Sequence, residues 1–306
     1  MANSLERFAI VGGGFGLYGY LPALIRVFGE GILLPEKYRS VIASREELTQ
    51  FEGQIDWQPN LQIAIRNATG VVLAVPPVAQ HALMKEILLL KNVKKILLEK
   101  PIAPTAKVAS DLINDNLMKY KKYRVGYTFV YTPWFPILNK LTLSDTEKVE
   151  IIWKFRAHHI TSEMETWKRY HSLGGGVLRF YGIHLIAVLA SLGYTDIFDN
   201  NFYGDLSDQP TDWKLRLAGK SVPECSVLVS LNSDQNEFVI NSTDKFDQRS
   251  KVYSASDPFQ IEGYTLEQDV RVTALQKLIE SFNDDDSEYI SFYQATNVLW
   301  QNIDIL

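Results

Sequence analysis

A single cysteine, Cys225, stands in a chain of 306 residues, so no disulfide can close within it and no zinc site can be built from thiolates. Histidine is scarce too, with five in all. Two of them, His158 and His159, are neighbours near a predicted strand end. Adjacent strand residues face opposite sides, so they do not make a two-histidine metal site, and no metal is expected. No apolar run is long enough to span a bilayer, and Met1 to Arg7 lacks the apolar core and cleavage site of a signal peptide. With so little cysteine, this points to the cytoplasm and to no membrane partner. A formal charge of -5 leaves no large electrostatic footprint for nucleic acid, and Lys119, Lys121, Lys122 and Arg124 read as a solvated helix end. No internal repeat is visible.

What the chain does have is apolar material for two cores: 46% hydrophobic and 22% charged residues, over a length that exceeds one ordinary domain. Strand and helix signals alternate through the first part, which predicts parallel βαβ units. Strands are expected at Phe8–Val11, Tyr38–Ala43, Val71–Val75, Lys95–Glu99 and Tyr123–Phe129, with helices at 17–28, 46–51, 78–90 and 106–120 between and after them. Beyond Tyr131 the pattern changes. Segments 147–157, 213–217, 226–232 and 237–242 alternate like the strands of an antiparallel sheet covered on one face, and 176–192, 265–282 and 287–306 have helical periodicity. The fold class is therefore α/β plus α+β: residues 1–130 read as a doubly wound parallel sheet, and 131–306 as a mostly antiparallel sheet with helices on one face.

Phe8-Ala9-Ile10-Val11-Gly12-Gly13-Gly14-Phe15-Gly16 is the most specific segment. A β-prone run ends at a glycine cluster that opens a helix, and the free N–H groups of that helix start suit a pyrophosphate. Two registers fit, Gly12-x-Gly14-x-x-Leu17 and Gly14-x-Gly16-x-x-Gly19. The first is preferred because Gly12 directly follows the strand, with Gly16 relieving the crowding caused by Leu17. At this level a methyltransferase that binds S-adenosylmethionine remains an alternative to a nicotinamide enzyme. In the turn after the expected second strand stand Ser44 and Arg45. A guanidinium there, with Ser44 rather than a carboxylate before it, predicts NADP over NAD, while Glu46 and Glu47 are the counterargument.

Glu99 and Lys100 close a strand ahead of Pro101, which holds Lys100 extended. A desolvated lysine beside a bound nicotinamide is able to exchange a proton with a hydroxyl. His184 lies on an otherwise apolar helix, where Phe180 and Val188, one turn away on either side, offer it no hydrogen bond.

The glycine turn, Ala74-Val75-Pro76-Pro77 with His81 beyond, Glu99-Lys100-Pro101, Val125-Gly126-Tyr127, and Gly174-Gly175-Gly176 leading to His184 occur in that order. In this the chain resembles the glucose-fructose oxidoreductase and inositol dehydrogenase (Gfo/Idh/MocA) family over nearly its whole length. Tyr20-Leu21-Pro22-Ala23-Leu24 also looks like that family's helix start, with tyrosine where histidine is usual. The resemblance implies a Rossmann dinucleotide-binding domain over 1–130, a substrate-binding and oligomerisation domain with a large, open, mostly antiparallel sheet over 131–306, and hydride transfer between a nicotinamide cofactor and a carbinol carbon, usually of a sugar or cyclitol. It assigns Lys100, His184 and Tyr181 to the chemistry. Gly12, Gly14, Phe15, Gly16, Ser44, Arg45, Val75, Pro76, Pro77, His81, Glu99 and Lys100 are expected at the cofactor, and Lys100, Tyr127, Trp167, Phe180 and His184 at the substrate. A homodimer or homotetramer through the second-domain sheet is also implied. The family's aspartate four residues before the histidine is Phe180 here, its later acidic position is Ala187, and an arginine often seen after Gly126 is replaced by Val130. These departures touch catalysis and leave two readings: a dehydrogenase or reductase that relies on Lys100, or a nucleotide-binding sensor that has lost the chemistry.

Overall fold

Short, wholly apolar runs such as Phe8–Val11 and Gly70–Leu73 have no polar face to offer water, so they are stable only where both faces are covered. A computed structural model of the chain describes residues 6–114, 118–204, 207–260 and 269–305. In it the chain forms two compact units: the first comprises 1–102, 111–128 and 263–286, and the second 103–110, 129–262 and 287–306.

The first unit is built on six parallel strands, β1 (Phe8–Val11), β2 (Ile32–Pro35), β3 (Ile55–Gln58), β4 (Gly70–Leu73), β5 (Lys95–Leu98) and β6 (Lys122–Val125), in the order β3-β2-β1-β4-β5-β6. This is the doubly wound order whose direction reverses between β1 and β4, and ligands bind outside the carboxyl ends at that reversal. There Val11 accepts from Ala74 N–H (2.9 Å), which draws the two strand ends together. The helix Leu21–Phe28 buries Leu21, Ala23 and Leu24, and Phe28 stacks on Phe8 of β1 at 5.1 Å.

The second strand lies earlier than expected. Residues 32–35 form β2, whereas Tyr38–Ala43 is helical, as a 3-10 turn Glu36–Tyr38 and the helix Arg39–Ala43. Two further elements had no periodic signal, β3 and the helix Leu61–Arg66, which Asn60 caps by accepting from Ile63 N–H (3.0 Å). Nor is the basic run at 119–124 a solvated helix end. Arg124 is 1% exposed and donates to Ser281 Oγ (2.9 Å), Lys121 Nζ donates to the carbonyls of Leu90 (2.6 Å) and Val93 (2.7 Å), and Lys122 pairs with Asp286 at 3.0 Å.

The second unit carries β7 (Thr146–Arg156), β8 (Asp196–Tyr203), β9 (Asp212–Gly219), β10 (Val222–Ser230), β11 (Asn232–Asp244) and β12 (Arg249–Ala255), ordered β12-β11-β7-β10-β9-β8. All neighbours are antiparallel except β7 and β10, which run parallel, so the sheet is mixed. One face is apolar: Val149, Ile151 and Trp153 of β7 line up with Cys225, Val227 and Val229 of β10 and with Leu217, Leu215 and Trp213 of β9. A π-helical segment Val177–Gly182 and the helix Ile183–Ser191 lie on that side, and a Cβ at Gly182 would stand 2.7 Å from the Trp213 ring. Arg179 is buried by a bidentate pair with Asp304 (2.8 and 2.9 Å), which ties this segment to the helix Asp286–Ile305. The helix expected over 265–282 is present as Val272–Glu280, and residues 261–268 lie outside the described ones.

Candidate functional site

In the first unit, the chain leaves β1 at Gly12 with φ +135°, and a Cβ there would stand 2.2 Å from the Ala74 carbonyl oxygen, so only glycine passes. Gly16 fits the third-glycine role, since its Cβ would meet Ile10 at 2.9 Å and Ala74 at 3.4 Å. Gly14 differs from both. It is exposed, and a Cβ added to it meets nothing within 4 Å, so the turn opens onto free space at the position expected to lie under a pyrophosphate. The first helical hydrogen bond runs from Leu17 N–H to Gly14 O (2.8 Å), which leaves the preceding amides pointing out of the helix start. A glycine floor, an open space above it and a helix N-terminus together fit a dinucleotide phosphate.

The turn carries neighbours that the sequence did not signal. Gly12 N–H donates to the Tyr38 hydroxyl (3.0 Å), and the Tyr38 ring lies under Gly13. Phe15 is covered by the Arg271 guanidinium at 4.2 Å from its centroid, and Arg271 donates to Asp269 through Nε (2.8 Å) and Nη2 (2.6 Å). Ser44 and Arg45 close the helix Arg39–Ala43 and do not follow β2. Ser44 donates to Val41 O (2.9 Å), and Arg45 Nε pairs with Glu47 at 2.8 Å, its guanidinium 4.8 Å from the Tyr18 ring. This removes the ground on which NADP was expected, because the residues that follow β2 are Glu36, Lys37 and Tyr38.

Past β4, Val75 is half-buried and Pro76 exposed, and Pro77 starts the helix Pro77–Leu88. His81 is half-buried on that helix, and burial, then Lys85, holds its imidazole below the usual range. The more telling residue is Gln80, which is 0% exposed. Its amide nitrogen donates to Glu99 O (2.6 Å) and its amide oxygen accepts from Glu99 N–H (3.2 Å). This clamp fixes the backbone between β5 and the cis Lys100–Pro101 bond. A buried glutamine beside the motif histidine was the one available signal for it.

Lys100 is 8% exposed, and Glu99 beside it accepts from the Tyr20 hydroxyl at 2.8 Å. Burial drives the Glu99 carboxyl above the usual range, against the pull of Lys100, the Tyr20 hydrogen bond and Arg271. A Cβ at Gly126 would stand 2.8 Å from both the Glu99 carboxylate and the Tyr20 hydroxyl, so that glycine makes room for the pair. Tyr127 is 2% exposed and burial raises its phenol, so it presents little surface.

The second unit holds the remaining candidates. His184 is 5% exposed and stacks on Phe129 at 4.6 Å, while Phe180 packs edge-on against Trp167 (5.3 Å) and Tyr181 (4.7 Å). Tyr181 meets His159 Nδ1 at 3.3 Å. His158 and His159 sit on a short helix, His158–Thr161, not on a strand. They diverge there, as His158 Nδ1 faces Ser162 Oγ at 3.2 Å.

No family model matches the chain, and no curated protein does. Solved structures do match. A dehydrogenase (MviM) from Clostridium difficile is 16% identical, with a TM-score of 0.69 over 99% of this chain and 100% of that one. The WlbA dehydrogenase of Chromobacterium violaceum, solved with NADH and UDP-GlcNAcA, is 13% identical, with a TM-score of 0.67 over 99% of this chain and 92% of that one. A super-repressor mutant of Gal80p from Saccharomyces cerevisiae is 10% identical, with a TM-score of 0.68 over 92% of this chain and 84% of that one. At such identities it is the fold that is common, and this chain shares it with dehydrogenases and with a repressor.

Proposed function

We propose that the protein is a nicotinamide-dependent oxidoreductase of the glucose-fructose oxidoreductase and inositol dehydrogenase type, acting on a carbinol or keto carbon of a sugar derivative. The observation that carries this reading is Lys100, held by the Gln80 clamp at the carboxyl end of β5, in a sheet whose reversal point opens over the Gly12–Gly16 turn. A bound nicotinamide supplies the hydride donor or acceptor. Gly12, Gly14 and Gly16 would hold the pyrophosphate, and Pro76, Pro77 and Lys100 would border the reactive ring. When a carbinol is oxidised, the Lys100 amine takes the hydroxyl proton while the hydride leaves carbon; in reduction its ammonium returns that proton. In the second unit Tyr181 and His184 are the residues we assign to the substrate hydroxyls, and Phe180 and Trp167 are the apolar rings packed in turn beside Tyr181. Neighbours solved with NADH and a UDP-sugar derivative support a nicotinamide cofactor and a small sugar-like substrate.

Replacing Lys100 with Met is expected to lower kcat by about a hundredfold or more, as for loss of a general acid-base group. Nucleotide affinity should stay nearly unchanged. Turnover that survives Lys100→Met rejects the proton role. The second reading, a nucleotide-dependent sensor, is favoured by the Phe180–Trp167 contact, which sets two aromatic rings where the family pattern has a carboxylate, and by the fold shared with Gal80p. A broad sugar screen without turnover, together with retained NADH binding, decides for it.

A further inference from the structure

Within the second unit, a pocket of about 150 Å³ is lined by His159, Arg169, Gln209, Thr211 and Asn232. A cavity of roughly that volume accommodates one six-membered ring. Arg169 is half-buried. Its Nε donates to Gln209 Oε1 (3.0 Å), and the terminal amino groups of its guanidinium have no carboxylate partner among the described residues. That same bond fixes the Gln209 amide, because an oxygen that accepts from Arg169 leaves the NH2 end as the free donor. The acidic groups beside these residues are engaged: Asp208 accepts from Ser172 N–H (2.7 Å) and its hydroxyl (2.6 Å), and Asp212 accepts from the Thr211 hydroxyl (2.7 Å).

His159 reports the local field. Burial pushes its imidazole down to about 4, and among the described residues Lys168, Arg169 and His158 push the same way. The facing Tyr181 hydroxyl is its one hydrogen-bond partner among the described residues. Among the described residues the pocket offers a guanidinium fork and amide donors beside cationic side chains, and the Asp208 and Asp212 carboxylates next to it are already engaged, which suits an anionic ligand.

We propose that this pocket binds the carboxylate or phosphate of a small polar molecule, with Arg169 as the charged anchor and the Gln209 and Asn232 amides as donors. The proposal concerns binding and stands whether or not the chain turns over a substrate. Since His159 contacts Tyr181, an anion seated here also lies one residue away from a group assigned to the substrate site.

The test is calorimetric titration of the full chain at pH 7 with inorganic phosphate, D-glucuronate and D-glucose. Saturable binding of phosphate, of glucuronate or of both is expected, with glucose not binding. Phosphate alone identifies a phosphate site, and glucuronate alone a sugar-acid site. Arg169→Gln is expected to weaken binding roughly tenfold or more, the worth of one charge-assisted hydrogen bond. Should that variant lose its circular dichroism, Gln209→Leu takes its place and must weaken binding as well. An absence of saturation by either anion overturns the proposal. So does glucose binding as tightly as glucuronate, or an anion affinity that a folded Arg169→Gln variant leaves unchanged.

Discussion

Lys100 and its neighbours show how a residue's role is set by what holds it. Gln80, with no exposed surface, donates to the carbonyls of Glu99 (2.6 Å) and Pro101 (3.3 Å) and accepts from Glu99 N–H, which also donates to Leu73 O (2.8 Å), so a nonpolar side chain in its place would remove the donor to two carbonyls and leave the N–H only its strand partner. Gln80→Leu is therefore expected to cost about 1–3 kcal/mol of stability in denaturant unfolding. It should also lower kcat more than it changes KM, because Lys100 stands next to the released backbone. His159 gives the residue scale its pH dependence. Its imidazole is held near 4 in the folded chain, by burial first and then by Lys168, Arg169 and His158, against about 6.5 when unfolded. Between those values the unfolded chain binds the extra proton, so stability rises with pH and is lost as pH falls from about 6.5 to about 4. Urea midpoints at pH 7 and pH 4.5 should differ more for the wild type than for His159→Gln. The catalytic candidates were legible as sequence motifs, but their supports were not. Gln80, Tyr38 and Arg271 act through contacts with residues 19 or more positions away, and no local pattern encodes those.

Elements with a strong apolar pattern were legible, and those without one were not. The strands β1, β4 and β5 are continuous apolar runs bounded by turn residues. The strand β2 is an apolar four-residue run of the same kind, Ile32–Pro35, but the longer β-prone stretch Tyr38–Ala43 competes with it in the sequence and folds as a helix once Pro35 has ended the strand. The outer strands β8 and β12 escaped notice because they are edge strands with mostly exposed side chains, and β10 pairs parallel to β7 across more than seventy residues. The glycine turn was the most legible element, and the geometry now divides its roles. Gly12→Ala is expected to unfold or strongly destabilise the chain, since its Cβ has no room against the Ala74 carbonyl and φ is +135°. Gly14→Leu should keep its melting temperature within a few degrees and yet lose NADH binding, because the leucine fills space that is open in the protein alone. Binding of NADH to a folded Gly14→Leu variant as tightly as to the wild type would reject the phosphate assignment.

Over the whole molecule the chain does not divide once and for all near residue 130. After β12 it returns to the first unit for 263–286, where Val272–Glu280 packs along Leu21–Phe28, and then ends in the second. A linear reading finds where a pattern changes but not where a chain comes back. The outer face of the second-unit sheet carries the remaining expectation, an oligomer. That face is largely charged, and its charges pair across strands: Lys154 with Glu237 (2.9 Å), Arg216 with Asp199 and Glu224 (both 3.0 Å), and Arg249 with Glu150. Between these pairs Val239, Ile152 and Leu228 align across β11, β7 and β10. A central apolar strip with a polar rim is the anatomy of a protein interface, and the paired charges at its edge limit promiscuous association. If the protein is an oligomer through this face, Ile152→Lys with Leu228→Lys puts two unpaired charges at its centre and should convert the assembly to monomers. Light scattering after gel filtration measures this directly. The alternating pattern keeps both side chains off the apolar face, so the fold should survive the change. A wild type that is monomeric at high micromolar concentration, or a double variant that stays assembled, assigns the strip to no self-association.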